Sequence, residues 1–306
     1  TAAGEDGVLR LDGPMAVSVA DANASLEGAI GLGAGAVGTA LSVELTVPDP
    51  APLELPRMLA RTVGSLPVTL AGRWRIEAGG HHFDDVVGTV GATRVALQGL
   101  VQGAAGSRSL ALDLDLAGPR LEEIDGALEV MDLTPGPFEL LGRIEIDGAA
   151  VQLEALRLLR QGGQATFDAR LARPLSERAG RIAVVASGPD LAAFGGRFGA
   201  WTPAPAPFEI DLGIEGSGPN WRIDALDLRY ADARVFAEGE TNVDADAAPE
   251  LRAEVEIPSL ARLGTLDGRR FLDLPAEASG TITSRAGVLN LDALRLRLGD
   301  GRAEGH

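Results

Sequence analysis

Four prolines constrain this chain more than any other feature. Pro67, Pro137, Pro207 and Pro275 lie 70, 70 and 68 residues apart, and each is followed by a run of alternating apolar and polar residues. After Pro137, one parity holds Phe138, Leu140, Gly142, Ile144 and Ile146, and the other holds Glu139, Arg143, Glu145 and Asp147. After Pro67 the apolar parity is Val68, Leu70, Gly72, Trp74 and Ile76; after Pro207 it is Phe208, Ile210, Leu212 and Ile214. The copy after Pro275 is weaker, with Ala276, Ala278, Gly280 and Ile282. Alternation with a period of two marks a strand with one dry and one wet face. Proline at the first residue of a strand does little harm, because its missing N–H costs the ladder least there.

A second strand follows in step, anchored at Phe83, Leu153, Ile223 and Leu291, again 70, 70 and 68 residues apart. Its apolar parity changes midway. Trp221 and Ile223 share one parity, and Leu226, Leu228 and Tyr230 the other. One extra residue, a β-bulge, would return both halves to a single face. A third strand follows in the matching stretches 92–99, 164–169 and 233–239. Between these sets lie Pro-flanked segments, Pro50 to Leu66, Pro189 to Pro205 and Pro258 to Pro275, read as short helices or loops that cap one end of the sheet.

The expected fold is therefore all-β with minor short helices: an elongated, twisted antiparallel sheet of repeats of about 70 residues, forming a groove. The repeats divide as 1–40 (the tail of a preceding unit), 41–108, 109–180, 181–249 and 250–306, the last truncated. Forty Gly and eighteen Pro without collagen-like periodicity agree with many turns and short strands.

Charge narrows the functional classes. The formal net charge is −17, and every basic residue other than histidine is Arg. Such a surface repels polyanions, so a nucleic-acid partner is not expected. With no cysteine, thiolate metal sites are excluded. No stretch approaches the eighteen apolar residues of a membrane span, so any membrane anchor is expected outside this fragment.

Motifs that could carry chemistry each have a plainer reading. Gly33-Ala34-Gly35-Ala36-Val37-Gly38 fits G-x-G-x-x-G but leads into the alternating run 41–47 rather than a helix, as a dinucleotide site requires. His81 and His82 are adjacent, so on a strand they point to opposite faces and cannot chelate one ion together. Asp84, Glu154, Asp224 and Asp292 recur once per repeat, which suits a bulge or turn position better than paired catalytic carboxylates. No catalytic residue, metal ligand or cofactor is expected, and the chain does not read as an enzyme.

The alternating strands, the repeated Pro-led run ending in Gly, and the segments Asp190-Leu191-Ala192-Ala193-Phe194 and Ser259-Leu260-Ala261-Arg262-Leu263 resemble the AsmA-like family, which includes the TamB-type proteins. The resemblance covers nearly the whole chain from about Gly7. It implies the periplasmic part of a bacterial protein anchored in the inner membrane. It also implies a passive conduit for phospholipid between the membranes, supporting outer-membrane biogenesis. The groove would then hold phospholipid acyl chains, with Leu70, Trp74, Ile76, Leu140, Ile144, Ile146, Ile210, Leu212 and Ile214 as its candidate lining. The alternative is a non-catalytic assembly scaffold, binding outer-membrane proteins through strand edges.

Overall fold

The computed structural model describes residues 2–5, 7–19, 21–33, 36–50, 65–103, 109–121, 136–172, 179–195, 199–242, 250–285 and 288–305. Its strands are antiparallel, with almost no helix. They divide into two compact units, the first ending at Gly148 and the second beginning at Ala149.

The first unit carries β1 (Ala2–Glu5), β2 (Val8–Leu11), β3 (Met15–Val19), β4 (Ala22–Gly31), β5 (Thr39–Val47), β6 (Val68–Glu77), β7 (Gly80–Val90), β8 (Thr93–Gln102), β9 (Ser109–Gly118) and β10 (Phe138–Ile146). From β4 to β10 each strand pairs with the next. β2 and β3 lie along the other edge of β4, and β1 pairs with β2 alone. The sheet is open: among the described residues no pairing joins its first and last strands.

The second unit contains β11 (Ala150–Arg160), β12 (Gly163–Ala172), β13 (Gly180–Gly188), a short helix α1 (Leu191–Gly195), β14 (Trp201–Pro203), β15 (Phe208–Ser217), β16 (Asn220–Tyr230), β17 (Ala233–Asn242) and β18 (Glu250–Ile257). A 3-10 turn (Leu260–Arg262), β19 (Gly264–Leu266), β20 (Arg269–Arg270), β21 (Ala276–Arg285), β22 (Val288–Leu298) and β23 (Gly301–Gly305) complete it. Its main sheet runs β11–β12–β13–β15–β16–β17–β18–β21–β22–β23 and is likewise open. A second sheet, β14–β19–β20, has only three short strands.

The parity change in the sequence is a bulge in the structure. In β7 the pairing to β8 steps from Phe83 to Val86, in β11 to β12 from Leu153 to Leu156, and in β16 to β17 from Ile223 to Leu226. In each, two residues on one strand oppose one on its neighbour, which keeps both halves on one face. The recurring acidic positions sit in these bulges. Asp84 holds Arg75 at 2.6 Å, and Asp224 pairs with Arg222 at 2.9 Å. Beside Glu154, the Ala155 N–H donates to Asp168 at 2.8 Å.

The prolines have a further structural part. The carbonyls of Pro67, Pro207 and Pro275 accept the backbone N–H of Gly91, Ala231 and Gly299 at 2.8, 2.9 and 2.9 Å. Each acceptor lies 24 residues before its donor, so the start of one strand is tied each time to the turn that ends the next. Those turns place Gly91, Ala231 and Gly299 at φ 59°, 54° and 57°, the positive range that two-residue hairpins require.

Two of the Pro-flanked segments form the cap that the sequence calls for. Asp190 accepts the Ala193 N–H at 3.1 Å, satisfying one of the unpaired donors at the start of α1. Leu191 and Phe194 then turn inward and are buried. The turn between β11 and β12 must come close to α1. A Cβ on Gly162, which has φ 91°, would meet the Asp190 carbonyl oxygen at 2.4 Å, so only glycine fits. The Pro258 to Pro275 segment holds the 3-10 turn, β19 and β20. Most of the segment from Pro50 to Leu66 lies outside the described residues.

Candidate functional site: the apolar faces

Each main sheet has one apolar and one charged face. In the first unit the register aligns the apolar positions in rows across the strands. One row runs Leu45, Leu70, Gly88, Val95, Leu116 and Leu140, and another Leu41, Trp74, Phe83, Gly99, Leu112 and Ile144. Ile76, His81, Val101, Leu110 and Ile146 form a third. In the second unit Ile210 stands between Ala186 and Leu228, Leu212 between Val184 and Leu226, and Ile214 between Ile182 and Ile223. All nine candidate lining residues therefore fall on the apolar face of their own sheet, six in the first unit and three in the second.

Burial along these faces is uneven. In the second unit the end near the cap is closed: Phe208, Tyr230, Ala186 and Ala165 are 2–4% exposed, packed with Leu191 and Phe194 of α1 and with Trp201 and Leu263. Ile210 is half-buried against that cluster; beyond it Leu212, Ile214, Leu226 and Leu228 are half-buried too, and on β22 Leu296 and Leu298 are exposed. In the first unit Ile76 is buried, whereas Leu70, Trp74, Leu140, Ile144 and Ile146 are half-buried. Besides the main sheets, the described residues form one further sheet, the three-stranded β14–β19–β20 of the cap.

Tyr230 locks the cap to the sheet. Its hydroxyl donates to the carbonyls of Ala204 at 2.6 Å and Leu263 at 3.2 Å, and Trp201 Nε1 donates to the same Leu263 oxygen at 3.0 Å. The Trp201 and Tyr230 rings meet edge to face at 5.5 Å. Burial, with help from the Asp190 charge, pushes the Tyr230 hydroxyl above its ordinary pKa. Alternation alone puts Tyr230 on the apolar face, but its clamp on two distant segments has no local sequence signal.

The opposite faces carry ion pairs. Arg75 contacts Asp84 and Glu77, Arg73 contacts Asp85, Arg94 reaches Asp115 at 2.9 Å and Arg143 reaches Asp113 at 3.0 Å. The Arg75 guanidinium beside Asp84 holds that carboxyl below its usual range. These pairs are largely exposed, so each adds little to stability.

The remaining motifs fall where their plainer readings put them. The glycine run from Gly33 to Gly38, of which 34 and 35 lie outside the described residues, leads directly into β5 and not into a helix. His81 and His82 point to opposite faces of β7: His81 stacks on Trp74 and accepts its indole N–H at 3.3 Å, and His82 lies 3.5 Å from Glu77. Among the described residues no group of three or more His, Asp or Glu side chains could hold a metal ion. No helix among them is long and apolar enough to cross a membrane. Set against models of protein families, curated proteins and solved structures, the chain matches none.

Proposed function

We propose that this chain is a periplasmic segment of an AsmA-like envelope protein, whose apolar faces carry phospholipid acyl chains passively between the inner and outer membranes. The observation that supports this reading is the half-buried stretch of apolar side chains beyond the cap. A soluble monomer rarely leaves contiguous apolar surface of this kind without a use. Acyl chains suit it, because each CH₂ removed from water contributes about 0.8 kcal/mol without directional bonding. The chain acts as a surface and not as a catalyst.

The test is lipid extraction from the purified chain followed by mass spectrometry, on the native protein and on Ile144→Glu and Ile214→Glu. Several phospholipids per chain, lost in variants that keep their circular dichroism spectra, support the conduit. A well-folded chain without lipid counts against it.

One observation favours a second reading, a scaffold that binds outer-membrane assembly partners through strand edges. β3 (Met-Ala-Val-Ser-Val) is uncharged and exposed along its whole length, with Met15, Val17 and Val19 at 39%, 39% and 62%. β4 flanks it on one side, and among the described residues no strand pairs with its other side. Such an edge is a template for an added strand. A lipid-free chain that captures outer-membrane protein segments, and stops doing so after Val17→Pro, would favour the scaffold.

A further inference from the structure

The polar face of the second unit holds a feature that the lipid reading does not use. Register lays the side chains of β17, β18, β21, β22 and β23 in rows, one of which runs Arg234, Glu256, Glu277, Arg297 and Arg302. A depression of about 830 Å³ opens over these strands. Arg297 and Arg302 stand directly opposite each other, and Arg295 is two residues from Arg297 on the same face. Like charges set opposite across a strand pair weaken it, so the arrangement calls for a counter-charge.

The chain supplies only part of one. Glu277 reaches Arg297 at 3.3 Å. Glu304 lies opposite Arg295 in the register, yet the two form no ion pair, and among the described residues neither Arg295 nor Arg302 has a partner. In a chain of net charge −17, this corner sets three arginines together beside Glu304, and two of the three have no ion-pair partner among the described residues.

We infer that this corner binds a phosphate monoester. Guanidinium groups present paired N–H donors that match phosphate oxygens, and a dianion neutralises the opposed pair as no single carboxylate can. The neighbouring Glu254, Glu256, Glu277 and Glu304 set the size limit. They line the same depression and repel any ligand whose negative charge continues past the corner, so a polyanion such as nucleic acid is rejected. At physiological ionic strength charges beyond about 8 Å are screened, so the chain's overall acidity does not prevent a small dianion from reaching the arginines. A free phosphate ester and the headgroup of a phosphatidic acid carry the same group. The site faces away from the apolar surface and does not depend on lipid carriage there.

The experiment titrates glycerol 3-phosphate into the full chain, followed by backbone and arginine NMR shifts, and in parallel measures flotation with phosphatidylcholine vesicles with and without phosphatidic acid. Two variants are compared. R295Q/R302Q removes the unpartnered arginines, and R269Q/R270Q removes the same charge from β20. The expected result is a phosphate-dependent shift centred on β22 and β23, at least tenfold weaker in R295Q/R302Q and unchanged in R269Q/R270Q. Soluble ester binding with no preference for phosphatidic acid vesicles assigns the site to a free ester; vesicle binding lost only in R295Q/R302Q assigns it to the lipid headgroup. Absence of binding in both assays, or equal loss in both variants, overturns the proposal.

Discussion

The two ends of the apolar face in the second unit are made of the same residue types and serve different ends. Near the cap, Phe208, Ala186, Ala165 and Tyr230 are sealed beneath Leu191, Phe194 and Trp201. A few residues further along the same strand, past Ile210 at the margin of that cluster, Leu212 and Ile214 face the same way and stay half-buried. Strand alternation cannot tell these positions apart, since it records only which side of the sheet a residue is on. The difference comes from segments that cross over one end of the sheet and stop. A core is built where the cap reaches, and a half-buried apolar surface remains where it does not.

The sharpest way to break this comparison is to cut into both ends equally. Phe208→Ala removes a side chain that is 2% exposed and in ring contact with Phe194 at 5.3 Å. The expected loss is about 3–5 kcal/mol of unfolding free energy, measured by urea denaturation. Leu212→Ala, four residues along the same face, should cost about 1 kcal/mol, because a half-buried side chain leaves a smaller void. Equal losses at the two positions would mean that the open stretch is covered after all.

A smaller effect tests the clamp itself. Tyr230→Phe keeps the ring and removes the hydroxyl that bonds Ala204 and Leu263, at an expected cost of about 1–2 kcal/mol. The native chain should also show an alkaline signature. The folded-state pKa of Tyr230 is raised above its ordinary value of 10.0. Below that value both folded and unfolded states keep the proton, and the contribution is fully present. As pH rises from there through the folded-state pKa, the unfolded state loses its proton first and stability falls. The slope of thermal midpoint against pH above 10 should therefore be shallower in Tyr230→Phe than in the native chain.

The open stretch should tolerate charge where the cap cannot. Ile214→Glu sets a carboxylate among half-buried neighbours with solvent in reach, so the expected cost is about 1 kcal/mol or less, read from the thermal midpoint. The same change under the cap would bury an unpaired charge and unfold the unit.

Much of this arrangement was legible in the sequence, for a physical reason. Proline spacing and period-two alternation are local properties of a strand, and they fix which side chains share a face. The parity change between Ile223 and Leu226 even located a bulge, because an apolar residue on the wrong parity needs an extra residue to correct it. The cap was foreseen as short helices or loops, but its small sheet was not. β14 and β19 are three residues each and pair Trp201 with Leu266, so no run is long enough to show a period. Nor could the sequence foretell Tyr230 reaching two carbonyls 26 and 33 residues away. The unpartnered arginines were equally hidden: Arg295, Arg297 and Arg302 look like ordinary polar positions until register puts two of them face to face.

The bulges give the smallest and most specific prediction, and they join both ends of the comparison, since without them each long strand would turn half of its apolar residues to the charged face. Asp85, Ala155 and Ala293 occupy equivalent bulge positions at φ 50°, 47° and 53°. A residue with a Cβ costs about 1–2 kcal/mol in that left-handed region, and glycine avoids the clash. Against this, glycine loses about 0.4–1 kcal/mol more chain entropy on folding than alanine. Ala155→Gly should therefore raise stability by a few tenths to about 1 kcal/mol, with lipid content unchanged. The matching control is Ala225→Gly, at the equivalent bulge position, where φ is not positive. There only the entropy loss remains, and the substitution should destabilise. Opposite signs at two positions of identical sequence role would show that the bulge is held by its backbone geometry, and equal signs would show that the surrounding side chains decide it.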